Sequence, residues 1–429
     1  MSLSPTIGTT PSRSRVAAAG LIGTAIEFYD FYIYGTAAAL VLNTAFFPGM
    51  DPVAGSLAAF STFAVAFISR PLGSAVFGHW GDRSGRKSML VVSLLVMGLS
   101  TVAIGLLPGY AAIGVAAPVL LVLLRFTQGI GLGGEWGGAA LLATEHAPPG
   151  KRGLYAMFPQ LGPSVGFIVA NGLFLLLGEV LGDERFGNWG WRLPFVASLL
   201  LVLIGLYVRL KIAETPVFQA AMDQHRIAKV PFAGLMRQQW RRVLLGAGAM
   251  TIAYTLFYTA TTYCLAYGTQ TLKIPKTTML ALTMIGVVFM VAGTVASAMV
   301  SDRFGRRRTL LTGTAAAVVW GLVMFPLMET RSVALVGVAL AGALGLMGLV
   351  FGPMGAFLPE LFRTEYRYSG ASIAYSLGGV LGGAVPPLVA TGLQASGAGV
   401  LGVGGYVSAM AVLSLLCLLG LPETGEQAL

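Results

Sequence analysis

The chain has 429 residues, of which 56% are hydrophobic and only 10% are charged, and its formal net charge is +10. Because soluble domains carry about a quarter of charged residues, this composition excludes a water-soluble enzyme, a DNA-binding protein and a disordered chain. A positive charge can indicate a nucleic-acid partner, but here the basic residues lie in loops between apolar segments, so we expect no nucleic-acid partner.

Twelve apolar segments follow one another along the chain, each about as long as a bilayer-spanning helix, which needs roughly 20 residues. Their apolar runs are too long for the strands of a membrane β-barrel and do not alternate with polar residues. The fourth and tenth segments are long and glycine-rich, so we expect each of them to bend or to extend past the bilayer. We predict an all-α polytopic membrane protein with twelve transmembrane helices near residues 17–40, 54–77, 88–107, 112–143, 154–178, 193–210, 243–267, 277–300, 309–328, 333–358, 369–393 and 400–421.

Two loop motifs occur twice at nearly the same offset, once in each half of the chain. An Asp-Arg-x-Gly-Arg motif follows spans 2 and 8, and a Glu with an Arg farther along follows spans 4 and 10. This duplication predicts two six-helix pseudo-repeats, and parallel repeats of this kind are typical of transporters with a site near the midplane. The predicted units are an N-terminal segment 1–16, a first bundle 17–210, a linker 211–242, a second bundle 243–421 and a tail 422–429.

The lysine and arginine residues are distributed unequally between the two sides of the predicted bundle. Most of them fall on the side that holds the N-terminus and the loops after the even-numbered spans. The positive-inside rule then places this side, with both termini, in the cytoplasm. Arginine is far more abundant than lysine among many alanines and glycines, which is typical of a GC-rich bacterial genome. We therefore expect a multi-pass protein of a bacterial inner membrane.

The repeated Asp-Arg-x-Gly-Arg loop resembles the hallmark motif of the major facilitator superfamily. Its presence after spans 2 and 8, together with the twelve-span pattern, extends the resemblance over almost the whole chain. The resemblance implies the major facilitator fold, with substrate transport by rocker-switch alternating access.

Further segments are similar to the metabolite:proton symporter branch of that superfamily. This similarity implies uptake of small organic acids or zwitterions, such as oxoglutarate, citrate, shikimate, proline or betaine, together with protons. Osmosensory members of the branch carry a long C-terminal coiled coil, whereas this chain ends eight residues after Leu421, which favours an organic acid as the substrate. The matching segments are Ile26–Phe31, Arg70–Gly73, Arg125–Gly129, Gly134–Glu135, Glu214–Phe218, Glu360–Arg363 and Arg367–Gly370.

At least five ionisable residues lie deep inside the predicted spans of the first half. Each costs roughly 2.5–3.5 kcal/mol on insertion scales, so each is a candidate for a functional role. Helical spacing places Glu27, Asp30 and Tyr34 on one face of span 1, and it places Arg125, Gln128 and Glu135 on one face of span 4. We expect proton coupling from the acids and substrate binding from the other polar groups. The proton-coupling candidates are Asp30, Glu27 and Glu135, and the substrate-binding candidates on these spans are Arg125, Arg70, Tyr34 and Gln128.

We hypothesise that a substrate competes with an acid for an arginine. Ionised Asp30 or Glu27 would pair with Arg125, and protonation of the acid would free the guanidinium to bind a substrate carboxylate with two hydrogen bonds. The alternative is a permanent ion pair that only fixes helix packing. Arg70 has its own alternative, because it could reach toward the membrane surface or cap backbone groups ahead of Pro71.

Polar stripes on spans 5 and 7 are further candidates for the substrate site. Gln160 and Asn171 recur at helical spacing on span 5, as do Tyr254, Tyr258 and Thr261 on span 7. They could form a hydrogen-bonding wall of the cavity, or they could serve only in packing, because such residues commonly bond between membrane helices. We leave both interpretations open.

The acids and arginines of the repeated loops predict a latch at the cytoplasmic ends of the helices. Charge-assisted pairs there would hold these ends together in the outward-open state and break when the halves rock. The alternative, simple positive-inside anchoring, explains the basic residues but not the paired acids. The latch candidates are Asp82, Arg83, Arg86, Glu145, Arg152, Asp302, Arg303, Arg306, Glu360 and Arg367.

The sequence therefore predicts a proton-coupled symporter that imports a small carboxylate-bearing metabolite. A proton-coupled exporter of drugs or metabolites and a symporter of zwitterions such as proline or betaine stay open as alternatives. We expect no enzymatic activity and no cofactor besides the coupling proton, because the spans hold no nucleophile, metal or nucleotide motif. The expected partners are the substrate and the lipid bilayer, and the expected oligomeric state is a monomer.

Overall fold

The computed structural model describes residues 13–84, 86–133, 136–145, 147–148, 150–211, 231–363 and 366–425. Its long elements are all helices, which confirms the predicted fold class over this part of the chain. Nine of the described helices are long and apolar enough to cross a membrane by length and composition, and Val91–Leu106 and Ala116–Leu132 are shorter apolar helices. The twelve main helices, numbered here in chain order, are α1 Arg13–Leu40, α2 Pro52–Ser84, α3 Arg86–Leu106, α4 Ala116–Leu132 with Trp136–Glu145, α5 Arg152–Asn188, α6 Leu193–Lys211, α7 Pro231–Tyr258 with Cys264–Gln270, α8 Lys276–Phe304, α9 Arg306–Glu329, α10 Val333–Glu360, α11 Arg367–Gly379 with Val385–Ala395, and α12 Gly399–Leu419.

Glycines of the fourth and tenth predicted spans lie against other helices. In the fourth span the structure describes the helices Ala116–Leu132 and Trp136–Glu145, and residues 134–135 between them lie outside the described residues, whereas α10 is one continuous helix from Val333 to Glu360. A Cβ atom on Gly133 would lie 2.2 Å from the backbone oxygen of Arg70, so only glycine allows α4 to approach α2 this closely. Likewise, a Cβ atom on Gly348 of α10 would lie 2.2 Å from the backbone oxygen of Met290 in α8. The glycines therefore permit close helix packing in both places.

Helices α7 and α11 each contain a π-helical turn that hydrophobic periodicity does not predict. These turns are Thr259–Tyr263 and Val380–Ala384. π-Helical turns inside α-helices are frequently found at functional sites. The ring of Phe67 in α2 packs against the second turn, where a Cβ atom on Gly383 would lie 2.6 Å from the ring. Both halves of the chain therefore meet at this irregular segment.

The first half, residues 13–211, contacts the second half, residues 231–425, at both ends of the bundle. Helix α8 has 29 residues, so its ends are about 40 Å apart. At one end, the Asp302 face, Asp302 accepts hydrogen bonds from the backbone N–H groups of Gly153 (2.8 Å) and Leu154 (2.9 Å). At the other end, the Lys276 face, Lys276 forms an ion pair with Asp183. Contacts at both faces enclose the centre of the bundle.

The predicted domain boundaries stay a prediction. Residues 1–12, 212–230 and 426–429, which include most of the predicted linker and half of the predicted tail, lie outside the described residues. Helical backbone already begins at Pro231, inside the predicted linker, and it departs from helical geometry at Gln239 (φ −130°, ψ 18°).

Candidate functional site

Four charged side chains on helices of the first half are buried among the residues that the structure describes. Glu27 and Asp30 lie on α1, Arg70 on α2 and Arg125 on α4, and each is at most 1% exposed. Charges at this depth are costly in a membrane, so they must be compensated by one another or by polar groups. These side chains therefore face the interior of the protein.

The ion pair in this cluster joins Glu27 to Arg70, with 3.8 Å between Oε1 and Nη2. The guanidinium carbon of Arg70 lies 5.6 Å from the ring centroid of Tyr375 in α11 and 5.8 Å from that of Phe31. The prediction that Arg125 pairs with Glu27 is therefore wrong in this structure. Arg70 neither reaches the membrane surface nor is exposed, and it touches both halves of the chain.

Arg125 is held by groups of the first half. Its guanidinium donates to the side-chain oxygen of Gln128 and to the backbone oxygen of Phe63 (3.3 Å). The guanidinium carbon also lies 3.7 Å from the ring centroid of Tyr34, a cation–π contact. The predicted direct contact with an acid is thus replaced by an amide, a carbonyl and an aromatic ring.

Asp30 is linked to Arg125 through two neutral side chains. The hydroxyl of Thr101 on α3 donates to Oδ2 of Asp30 (3.3 Å), and Nε2 of Gln128 donates to Oγ1 of Thr101 (2.7 Å) and to the backbone oxygen of Asp30 (3.3 Å). The oxygen of the same Gln128 amide accepts from Arg125. Sequence reasoning missed Thr101, although the adjacent polar residues Ser100 and Thr101 interrupt an apolar span.

The other predicted binding residues have different surroundings. The hydroxyl of Tyr34 is hydrogen-bonded to Thr62 (2.5 Å). Asn171 accepts from Thr36 (2.8 Å), also in the first half, which favours the packing interpretation for Asn171. Gln160 accepts from Trp136 (3.0 Å) and donates to the backbone oxygen of Phe351 in the second half (3.0 Å), so it bridges the halves.

Aromatic rings from both halves form a wall beside Arg70, which we call the aromatic wall and define as Phe31, Phe67, Tyr254, Tyr258 and Tyr375. The ring centroids of Phe31 and Tyr258 lie 6.1 Å apart, and those of Phe67 and Tyr254 lie 6.2 Å apart. Tyr254 and Tyr258 therefore face the first half, as the cavity interpretation requires. Trp136 stacks on Tyr375 with 3.9 Å between centroids. Sequence reasoning missed Tyr375 and Trp136.

Four of the predicted latch residues meet on the Asp302 face. Arg306 donates to Asp302 (2.6 Å), and Glu360 lies 3.5 Å from Arg306 and 3.9 Å from Arg152 of the first half. Arg303 is exposed and lies over its neighbour Phe304, whereas Arg367 is buried. The remaining predicted site residues, Glu135 and the side chains of Asp82, Arg83, Arg86 and Glu145, lie outside the part of the chain that the structure describes.

The segment after α12 contacts the same cluster of charged residues on the Asp302 face, and the sequence did not predict this contact. Glu423 accepts from the backbone N–H groups of Arg306 (2.7 Å) and Arg307 (3.1 Å), and the hydroxyl of Thr424 donates to Glu360 (2.7 Å). Burial acts to raise the pKa of the Glu423 carboxyl, but four backbone N–H groups more than offset this effect, so the pKa lies below its ordinary value. Glu423 is therefore a stable anion at the start of α9, where the helix dipole favours negative charge.

Replacing Asp302 by Asn is expected to open the Asp302 face. The substitution removes the charge that binds two N–H groups of the other half, and charge-assisted hydrogen bonds are about twice as strong as neutral ones. Ser372 of the second half lies close to Gly137 of the first half, because a Cβ atom on Gly137 would lie 1.9 Å from its hydroxyl oxygen. A cysteine at position 372, in a background without Cys264 and Cys417, therefore reports on this opening. We expect its alkylation to become several-fold faster.

The matched control is Asp183→Asn, which breaks the ion pair with Lys276 at the opposite face. This variant should not accelerate alkylation at position 372. Equal rates in the Asp302→Asn protein and its parent would show that Asp302 does not hold the face closed.

The chain is similar to several known proteins. The profile of the Major Facilitator Superfamily matches residues 20–387. The chain is 51% identical to the inner membrane metabolite transport protein YhjE of Escherichia coli K12, over 97% of this chain and 96% of that protein. It is 39% identical to the shikimate transporter of the same organism (89% and 88% covered), and 34% identical to the proline/betaine transporter of Salmonella typhimurium (97% and 85% covered).

A solved structure supports the fold. The partially occluded, inward-open xylose transporter XylE from Escherichia coli superposes with a TM-score of 0.78 at 18% identity, covering 98% of this chain and 100% of that chain. The prediction of the major facilitator fold is confirmed, and so is the prediction that the protein is not an enzyme. The chain belongs to the major facilitator superfamily and is a multi-pass membrane transporter of metabolites.

Proposed function

We propose that this protein is a proton symporter that imports a small carboxylate-bearing metabolite across a bacterial inner membrane by alternating access. The observation that carries the proposal is the buried Glu27–Arg70 pair beside Tyr375, where an acid and an arginine meet at the interface between the halves. Shikimate, proline and betaine, after which relatives are named, all contain a carboxylate. The site supplies a cation for that group.

Arg70 is the proposed anchor for the substrate carboxylate. Its separation of 3.8 Å from Glu27 is longer than the roughly 2.7–2.9 Å of a charge-assisted hydrogen bond, so this pair is not closely engaged. Within the described residues, Nε of Arg70 has no hydrogen-bond acceptor. A planar guanidinium can hold a carboxylate through two parallel hydrogen bonds. This assignment places the anchor at Arg70, whereas the sequence had favoured Arg125.

The substrate carboxylate and ionised Glu27 compete for the guanidinium of Arg70, and this competition couples substrate binding to proton binding. If an anionic substrate joins ionised Glu27 at one guanidinium, two negative charges share one positive charge in a buried site. Protonation of Glu27 removes this excess charge, because a carboxylate next to a like charge takes up a proton more readily. Substrate binding and proton binding therefore favour each other, and Asp30 provides a second carboxyl group in the same bundle.

The orientation follows from the charges on the two faces. The Asp302 face carries the arginine-rich loops, and by the positive-inside rule it is the cytoplasmic face. Both termini would then be cytoplasmic. We propose that the protein works as a monomer and that the proton is its only coupling ion.

Import of a zwitterion is a second candidate function. Arg70 already lies over the rings of Phe31, Phe67 and Tyr375, so the aromatic wall accommodates a positive group. Aromatic rings also bind quaternary ammonium groups, such as that of betaine. A substrate with a carboxylate on Arg70 and a cation against Tyr254 and Tyr258 would use both features.

Uptake into proteoliposomes tests the proposal. The purified protein is supplied with labelled shikimate, proline or glycine betaine, with the lumen more alkaline than the outside. At least one compound is expected to accumulate above its outside concentration and to leave when a protonophore is added. If the accumulation of substrate did not depend on the pH gradient, this result would contradict proton symport. Accumulation only with an acidic lumen would support the exporter alternative.

A further inference from the structure

The link between Asp30 and Arg125 consists of neutral side chains, and its hydrogen bonds all point one way. Arg125 donates to Gln128, Gln128 donates to Thr101 and Thr101 donates to Asp30. Each donor points toward the carboxylate of Asp30 and each acceptor toward the guanidinium of Arg125. Hydrogen bonds in such a chain polarise one another, so the two charged ends reinforce the bonds between them.

The hydrogen-bonded side chains come from three different helices. Asp30 lies on α1, Thr101 on α3, and Gln128 and Arg125 lie on α4. Thr101, Gln128 and Arg125 are fully buried, so water does not compete for their hydrogen bonds. Among the described residues of the first half, the buried charged side chains besides Asp30 are Glu27 on α1, Arg70 on α2 and Arg125 on α4, and Tyr29 on α1 interacts electrostatically with Asp30. None of residues 88–106, 153–178 and 193–208 in the packed helices α3, α5 and α6 is charged.

Thr101 can exchange its acceptor. Its hydroxyl lies 3.3 Å from Oδ2 of Asp30 and 3.0 Å from the backbone oxygen of Met97, but a hydroxyl has one hydrogen to donate. An ionised Asp30 attracts this hydrogen. A protonated Asp30 carries its own donor and lacks the charge that aligned the chain, so the hydroxyl turns toward Met97.

We propose that Thr101 is a positioning residue that transmits the protonation of Asp30 through Gln128 to Arg125. The inference deepens the proposed function, in which Asp30 is one of two coupling acids. In the ionised state the aligned chain holds the Gln128 oxygen on Arg125. In the protonated state the alignment is lost and Arg125 loosens from Gln128, which releases α4 from α1 and α3. Gln128 therefore acts inside the first half and not as a substrate contact.

Infrared difference spectroscopy of the purified protein over a pH series tests this inference without any substrate. The carboxylic C=O band of Asp30 is identified by its loss in Asp30→Asn, and the guanidinium band of Arg125 by its change in Arg125→Lys. In the parent protein the two bands should change together as the pH is varied. In Thr101→Val, which keeps the shape but removes the hydroxyl, the Arg125 band should no longer follow the Asp30 band.

Three further variants make the result specific. Thr101→Ser keeps the hydroxyl and should restore the coupled change. Ser100→Ala removes a neighbouring hydroxyl that bonds the backbone oxygen of Val96 in its own helix (2.7 Å) and should leave the coupling intact. Gln128→Leu removes the amide that joins Arg125 to Thr101, so the Arg125 band should no longer follow the Asp30 band in this variant either. It replaces Thr101→Val in the test if Thr101→Val does not fold.

The inference would be overturned if the Arg125 band still changed together with the Asp30 band in both Thr101→Val and Gln128→Leu. It would also be overturned if the Arg125 band of the parent protein did not change with pH together with the Asp30 band. Because the readout needs no transport, it is independent of the proteoliposome test. Loss of pH-driven uptake contradicts the symport proposal alone, and persistent band coupling in the variants contradicts the role of Thr101 alone.

Discussion

Replacing Arg70 by Lys is expected to weaken substrate binding roughly ten- to hundredfold. The lysine keeps a positive charge near Glu27 but cannot form two parallel hydrogen bonds to a carboxylate. A hydrogen bond to a charged group contributes about 1.5–3 kcal/mol, and about 1.4 kcal/mol corresponds to a tenfold change in Kd. Titration calorimetry with the compound that the proteoliposomes accumulate measures this change.

Two other arginines serve as matched controls. Arg192 donates to the backbone oxygen of Gly105 (3.0 Å) at the Lys276 face, outside the site, so Arg192→Lys should leave Kd unchanged. Arg125→Lys alters a buried arginine that contacts only groups of the first half within the described residues, and its effect on Kd should be smaller than that of Arg70→Lys. If Arg70→Lys bound the substrate normally and Arg125→Lys did not bind it, the substrate carboxylate would be bound by Arg125 and not by Arg70.

Replacing Glu27 by Gln is expected to abolish accumulation driven by a pH gradient while exchange of labelled for unlabelled substrate continues. The amide has the shape of the protonated acid, so Arg70 is available to the substrate at every pH but no proton is carried with it. Uptake against a concentration gradient should fall to the level of liposomes without protein. Exchange, which needs no net proton movement, should stay within a few-fold of the parent rate.

The control for this substitution is Glu329→Gln, which removes an exposed acid that accepts a hydrogen bond from Tyr267. Its accumulation should match that of the parent protein. If the Glu27→Gln protein still concentrates substrate in response to the gradient, then Glu27 is not the coupling acid and the competition at Arg70 is not the mechanism.

The sequence predicted the helices well because the length of an apolar segment is a local property. It also located the buried charges, since an ionisable residue within an apolar run is recognisable without a structure. The sequence did not correctly predict which side chains these buried charges contact. Glu27 and Asp30 are three residues apart, which leaves them about 60° apart around a helix that turns about 100° per residue. That angle directs Glu27 to Arg70 and Asp30 to Thr101.

Contacts between distant segments were the other source of error. The π-helical turn Thr259–Tyr263 interrupts the regular helical spacing of α7, and the hydroxyl of Thr261 within it donates to the backbone oxygen of Phe257 (2.7 Å). The stacking of Trp136 on Tyr375 depends on how the two halves dock. Neither feature leaves a periodic pattern in the sequence.

The two closed faces differ in how their charges are exposed. The Glu360 side chain on the Asp302 face is fully buried, whereas the Asp183 side chain on the Lys276 face is 88% exposed. Dissolved ions weaken exposed ion pairs but screen buried ones much less. We therefore expect opening of the Lys276 face to depend more strongly on the salinity of the surrounding medium than opening of the Asp302 face does.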